Sequence, residues 1–104
     1  MVRSLRSPGH LALMRALIEA RKAQGVSQQR LADRLDRPQS FVAKVETGER
    51  RLDVVEFAEW ALALGVDTAP VMAVVRDAVR ATVQDVVPEE TAPSAQNPSL
   101  GGDP

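Results

Sequence analysis

Residues 26–51 constrain the fold most, because a short turn there joins two amphipathic stretches of helical character. Apolar residues recur at helical spacing on both sides of the turn; they are Leu31, Ala32 and Leu35 before it, and Val42 and Val45 after it. The turn, LDRP at residues 35–38, is too short to let the two helices run independently. The segment therefore predicts a helix, a tight turn and a second helix packed against the first.

The outer faces of these two predicted helices carry hydrogen-bonding groups and a positive charge. Because Val42 and Val45 are expected to point inward, Ser40, Phe41 and Lys44 are turned outward. Gln28 and Gln39 add two amides to the same side. Amide, hydroxyl, aromatic and ammonium groups suit the base edges and phosphates of a DNA groove. The segment predicts a sequence-specific DNA-binding domain.

Helix caps and terminating glycines predict three more helices around this pair. The five predicted helices lie near residues 8–23, 28–35, 38–47, 54–64 and 68–86. Ser7 is expected to cap the first helix and Ser27 the second, while Asp36 is expected in the left-handed conformation. Residues 1–6 are expected to be frayed, and residues 87–104, which are rich in Pro, Gly, Ser and acid, to form a disordered tail.

The last two predicted helices each carry an apolar face, and that of the fifth helix has two interpretations. On the fourth helix, the expected buried line is Val54, Phe57, Ala61 and Leu64, with Trp60 at its border and Leu62 on the far side. On the fifth, the apolar stripe consists of Met72, Val75, Val79, Val83 and Val86. This stripe either covers the core or, together with Leu62 and Trp60, forms a dimer seam. We favour the homodimer slightly, because a single DNA half-site gives limited affinity.

Charge is distributed unevenly along the chain. Residues 1–52 hold eleven Lys/Arg and five Asp/Glu, a balance of +6, whereas residues 53–104 hold two and nine, a balance of −7; together they give the net charge of −1. The basic half contains the predicted helix pair, as expected for a protein that binds a polyanion.

Several classes of function are disfavoured by composition. There is no cysteine, and the single histidine, His10, is expected to be exposed, so no metal site or cofactor is predicted. The carboxylates at residues 33, 36, 49, 56 and 59 are expected to be ordinary surface charge, and no nucleophile motif indicates an enzyme. The longest apolar runs are five residues, at 60–64 and 71–75, too short to span a membrane. A cytoplasmic, nucleoid-associated protein is expected.

Residues 11–66 resemble the lambda-repressor-like family of helix-turn-helix proteins, also called the Cro/cI or XRE type. The matching residues are Arg21, Gly25, Val26, Ser27, Gln28, Leu31, Ala32, Leu35, Gln39, Ser40, Val42, Val45, Glu46, Thr47, Gly48, Leu64 and Gly65. The stretch QSFVAKVETGERRLDVVEF is similar to short bacterial and phage regulators. The resemblance implies an all-α, compact five-helix domain over residues 7–86, with its helix-turn-helix at the second and third helices.

The resemblance also implies roles for individual residues. The third helix would enter the major groove, where Gln39, Ser40 and Phe41 contact bases. Gln28 would contact a phosphate and brace Gln39, and Lys44 would reach a base or the backbone. The phosphate contacts would come from Arg50 and Arg51, and Arg37, which departs from the family pattern, is a further candidate. For Phe41, packing in the core remains an equal alternative.

Further positions concern the framework of the domain. In related proteins, the residues at Arg21 and Glu46 form a largely buried salt bridge between the first and third helices. Two departures from the family pattern lie at the turn: Asp36 replaces the usual glycine, and Arg37-Pro38 displaces the usual Ser or Thr cap.

The function implied is a transcriptional regulator, most simply a repressor that binds operator DNA, with double-stranded DNA and a second copy as partners. One alternative is the antitoxin of a toxin–antitoxin pair, which would also bind a toxin protein. The other is a protein-interaction adaptor that kept the fold without binding DNA.

Overall fold

The structure is a computed structural model that describes residues 7–85 and Val87. The described residues form five helices and no strand; the helices are α1 (Pro8–Ala23), α2 (Gln28–Leu35), α3 (Gln39–Thr47), α4 (Val54–Leu64) and α5 (Thr68–Arg80). The predicted all-α fold, with a helix-turn-helix at the second and third helices, is confirmed. The predicted frayed start at residues 1–6, Val86 and the predicted tail beyond Val87 lie outside the described residues.

The ends of α1, α2 and α3 follow local sequence signals. The Ser7 hydroxyl accepts a hydrogen bond from the His10 N–H at 3.2 Å, and the Ser27 hydroxyl accepts one from the Arg30 N–H at 3.1 Å. Asp36 adopts the left-handed conformation after α2, with φ 58° and ψ 45°. Pro38 precedes α3 without a side-chain cap from any described residue. The turn therefore has the predicted geometry.

The core lies where α1, α2, α3 and α4 meet. Its largest fully buried side chains are Trp60, Leu17, Leu31 and Val42. Trp60, predicted at the border of the core, is 0% exposed and lies at its centre. Val54, predicted to be buried, is 82% exposed. That prediction is wrong because α4 begins at Val54, a full turn before Phe57, the first of its side chains to pack against the core.

Helix α5 packs along α1 and covers its N-terminal end. The approach is so close that a Cβ atom on Gly9 would lie 2.3 Å from Cγ1 of Val79 and 3.9 Å from Cγ1 of Val75. Val75 and Val79 therefore face α1, whereas Met72 of the same stripe is 45% exposed. His10 is buried rather than exposed as predicted, because α5 packs over this end of α1.

Helix α5 ends at Arg80, earlier than the predicted residue 86. Both the hydroxyl and the backbone N–H of Thr82 donate to the Val79 carbonyl, at 2.8 Å each. A side chain that competes for a helix carbonyl in this way favours termination. Val83 consequently lies beyond the helix and is 53% exposed. None of the described helices is long and apolar enough to cross a membrane.

Candidate nucleic-acid interface

Helix α3 is joined to α1 by a buried ion pair. Nε of Arg21 donates to Oε2 of Glu46 at 2.6 Å, and Nη2 donates to Oε1 at 3.0 Å. The remaining guanidinium nitrogen, Nη1, donates to the Val26 carbonyl at 2.8 Å. The two side chains are 11% and 6% exposed. The ion pair implied by the resemblance is thus present, with two parallel hydrogen bonds that fix its geometry.

Two glutamines extend this ion pair to the surface. Nε2 of Gln28 donates to Oε1 of Glu46 at 2.8 Å, and Oε1 of Gln28 accepts from Nε2 of Gln39 at 2.6 Å. A continuous chain of hydrogen bonds therefore runs from Arg21 in α1 to Gln39 at the start of α3. We call it the Arg21–Gln39 chain. The bond to Gln28 orients the Gln39 amide, whose Oε1 and second N–H make no hydrogen bond to any described residue.

The other predicted contacts on α3 differ in exposure. Ser40 and Lys44 are exposed on the outer face of α3, and Arg51 is exposed after it. Phe41 is half-buried and packs against the core, which is the alternative that the sequence left open for it. Its ring packs on Trp60 of α4, with centroids 5.8 Å apart and planes inclined by 59°. The indole at the centre of the core supports the phenyl ring from behind, and Phe41 is a residue at the edge of the core.

Arg37 and Arg50 share one carboxylate, that of Glu56 in α4. Nη1 and Nη2 of Arg50 donate to its two oxygens at 3.0 and 2.8 Å, and Nη2 of Arg37 donates to Oε2 at 3.1 Å. Glu56 also accepts the Asp53 N–H at 3.0 Å, while Asp53 accepts the Glu56 N–H at 2.7 Å. These two bonds form a capping box at the start of α4. The prediction that Glu56 is ordinary surface charge is wrong, because it binds residues on both sides of α3.

These bonds change the ionisation of Glu56. The hydrogen bond from Arg50, followed by that from the Asp53 N–H, lowers the pKa of the Glu56 carboxyl from its usual 4.5 to about 2. The same carboxylate raises the pKa of Arg50. Because the folded pKa lies below the unfolded one, the contribution of Glu56 to stability is fully present above about pH 5 and is lost as the pH falls towards 2.

The sequence contains a signal for part of the cluster that Glu56 forms with Arg37 and Arg50. Asp53 and Glu56 are spaced as in a capping box, which places the carboxylate at the start of α4. The link from that carboxylate to Arg37 and Arg50 depends on how α3 and α4 pack, and no local pattern encodes it. Within the described residues, no group of three or more His, Cys, Asp or Glu could hold a metal ion.

Comparison with known proteins places this geometry in a family. Residues 17–71 match the family model described as helix-turn-helix. The structure is similar to that of an XRE-family like protein from Pseudomonas syringae pv. tomato str. DC3000, with 45% sequence identity and a TM-score of 0.63. The similarity covers 66% of this chain and 84% of that one. No curated protein matches the sequence.

The matched region includes all of α2, α3 and α4, with the Gln28 and Gln39 amides and most of the core. The family model matches more than half of the chain. The sequence identity to the structural relative is well above the level at which two proteins share a family. The chain therefore belongs to the XRE, or Cro/cI, type of the helix-turn-helix family, whose fold is that of DNA-binding regulators.

Proposed function

We propose that this protein is a sequence-specific transcriptional regulator that binds operator DNA with α3 in the major groove and represses by occluding a promoter. The observation that carries the proposal is the Gln39 amide, exposed at the start of α3 and held by Gln28. Glutamine pairs with adenine through N6 and N7 in the major groove, and a fixed amide loses little rotamer freedom on binding.

Charged groups near the start and end of α3 support the same proposal. Lys44 and Arg51 are exposed, and Arg37 and Arg50 are partly exposed at 37% and 40% of their side chains. In this proposal, these four cations contact phosphates and set affinity and register, while Gln39 and Ser40 contact bases and set the sequence preference. Phe41, packed on Trp60, supports the interface without contacting a base.

We expect the full chain to shift DNA from upstream of its own coding sequence, with affinity falling steeply as salt rises from about 50 to 200 mM. Gln39→Ala should weaken binding to the preferred site roughly 5- to 150-fold, the range for a lost bidentate base contact, and leave non-specific binding unchanged. Selection from random DNA supplies the preferred site, and a gel shift measures both affinities.

Gln84→Ala is the matched control for this measurement. Gln84 is exposed and follows α5, which packs over the start of α1, the opposite end of that helix from Arg21. It should bind both DNAs as the unchanged protein does. Folded protein that fails to shift DNA even at low salt would contradict the proposal and favour the protein-interaction adaptor. Equal losses on specific and non-specific DNA would contradict the base-contact role of Gln39.

We also propose that the regulator binds as a homodimer, with two copies of α3 about one DNA turn apart, roughly 34 Å. Because Val75 and Val79 pack on α1, the surface left for a second copy includes the exposed side of α4, where Val55 is 65% and Leu62 81% exposed. Light scattering at micromolar protein should give twice the mass of one chain, and Leu62→Glu should halve it. A monomer at these concentrations would contradict this part of the proposal.

A further inference from the structure

Glu56 connects two arginines that lie on opposite sides of α3 in the sequence. Arg37 precedes α3 and Arg50 follows it, yet both donate to Oε2 of the same carboxylate, at 3.1 and 2.8 Å. The Glu56 side chain is only 13% exposed, whereas those of Arg37 and Arg50 are 37% and 40% exposed. The carboxylate is therefore the inner member of the cluster, and the two guanidinium groups lie closer to solvent.

The ring of Phe41 is a second anchor for both arginines. The guanidinium carbon of Arg37 lies 4.1 Å from the ring centroid and that of Arg50 lies 4.9 Å from it. Both distances are within the range of a cation–π contact. Since Phe41 packs on the buried indole of Trp60, each guanidinium group is held by a carboxylate and by a ring fixed to the core. Two long, flexible side chains are thereby restricted near the start of α3.

Both arginines keep hydrogen-bond donors that this arrangement does not use. Within the described residues, Arg50 donates three hydrogen bonds, two to Glu56 and one to the Arg51 carbonyl, and Arg37 donates one. A guanidinium group has about five N–H donors. One carboxylate shared by two guanidinium groups also leaves a net positive charge. The cluster can therefore bind an anion without first breaking its internal bonds.

We propose that Glu56 is a positioning residue of the DNA interface, which joins Arg37 and Arg50 into one preformed site for a backbone phosphate. This inference rests on the proposed DNA-binding function and adds a residue that touches no DNA. Without the carboxylate, two neighbouring cations repel each other and recover their rotamer freedom. Because both costs oppose the contact, one or both arginines no longer hold the phosphate, and binding weakens.

If Glu56 only neutralised the two arginines, the expected change in DNA affinity would have the opposite sign. If the carboxylate only neutralised the two arginines, removing it would raise the positive charge near DNA and strengthen binding. If it positions them, its removal weakens binding although the net charge becomes more positive. The sign of the change in affinity therefore distinguishes positioning from simple neutralisation.

The test is Glu56→Gln in the full chain, with Glu19→Gln as the charge-matched control. The amide oxygen of the new glutamine can still accept the Asp53 N–H and preserve the start of α4. Glu19 is exposed on α1 and is absent from the cluster. We expect Glu56→Gln to bind roughly 5- to 100-fold more weakly, since two rotamer-rich side chains must be ordered. Glu19→Gln should bind as the unchanged protein does.

Salt dependence separates positioning from a general loss of folded protein. Loss of one or two phosphate contacts should lower the slope of log affinity against log salt by about 1 to 2. A smaller folded fraction lowers affinity at every salt concentration and leaves this slope unchanged. Arg50→Gln should lower the slope in the same way, and combining it with Glu56→Gln should cost less than the sum of the two.

Each result decides a different claim. Weaker binding with a lower slope in Glu56→Gln, and not in the control Glu19→Gln, supports the positioning role. Binding by Glu56→Gln that is as tight as that of Glu19→Gln, with an unchanged slope, overturns it while leaving the DNA-binding proposal intact. If the unchanged protein binds no DNA, the proposed function is overturned and this inference with it.

Discussion

Replacing Glu46 with alanine should lower the free energy of unfolding by roughly 3–5 kcal/mol, a large part of the stability of a small domain. The reason is the guanidinium group that remains. Arg21 is buried, and without Glu46 it keeps one hydrogen bond within the described residues, from Nη1 to the Val26 carbonyl. An ionised group in the core without its counter-charge is costly. Urea unfolding followed by circular dichroism measures this change in free energy. Thermal unfolding should show a melting temperature lower by at least about 10 °C.

The double variant Arg21→Met with Glu46→Leu is the control for this result. It removes both charges and fills their space with apolar atoms, so it should recover most of the lost stability. The two outcomes together separate the cost of a buried unpaired charge from the loss of packing. A melting temperature that is unchanged in Glu46→Ala would contradict the explanation. So would a double variant that is as unstable as the single one.

Replacing Trp60 with alanine should cost about 3–5 kcal/mol of unfolding free energy, the range for deleting a large buried aromatic side chain. Trp60 is 0% exposed, and its indole supports the ring of Phe41. Its loss leaves a cavity between α3 and α4 and removes the support beneath Arg37 and Arg50. We therefore expect DNA affinity to fall as well, even at temperatures where the variant remains folded.

Trp60→Phe is the informative control for the cavity. It keeps an aromatic ring against Phe41, and it removes a buried indole N–H for which no described residue provides an acceptor. Because an unsatisfied buried donor is itself unfavourable, its removal should offset part of the lost packing. Trp60→Phe should therefore be clearly more stable than Trp60→Ala in the same urea titration. Equal losses in both variants would contradict this expectation and would mean that a phenyl ring does not fill the space of the indole.

The sequence predicted the helices well where their ends depend on neighbouring residues. Ser7 and Ser27 cap helices through bonds to N–H groups three residues away, and Asp36 and Gly48 end them through their own backbone conformation. These effects act within one turn, so a local pattern is sufficient to recognise them. The resemblance added the Arg21–Glu46 pair, which joins positions 25 residues apart.

The wrong predictions for Val54, His10 and Glu56 involve contacts between distant parts of the chain. Val54 fits the apolar period of α4, but the core does not extend to the first turn of that helix. His10 has no apolar neighbour pattern that indicates burial, and only the packing of α5 on α1 covers it. Glu56 looked like one of several surface carboxylates, because its two arginines are 6 and 19 residues away in the sequence. The spacing of apolar residues indicates which side chains share a face of a helix, but not which other part of the chain packs on that face.

Under the proposed DNA-binding function, the Arg21–Gln39 chain has a consequence for how operator preference can change during evolution. Any residue that replaces Gln39 must still donate to Oε1 of Gln28, or the amide that Glu46 holds loses its outer partner. Position 39 is therefore coupled to the orientation of Gln28, whereas Ser40 and Lys44 lie outside the chain of hydrogen bonds. New DNA preferences should arise first through substitutions at positions 40 and 44. Engineering a changed specificity should begin at the same two positions.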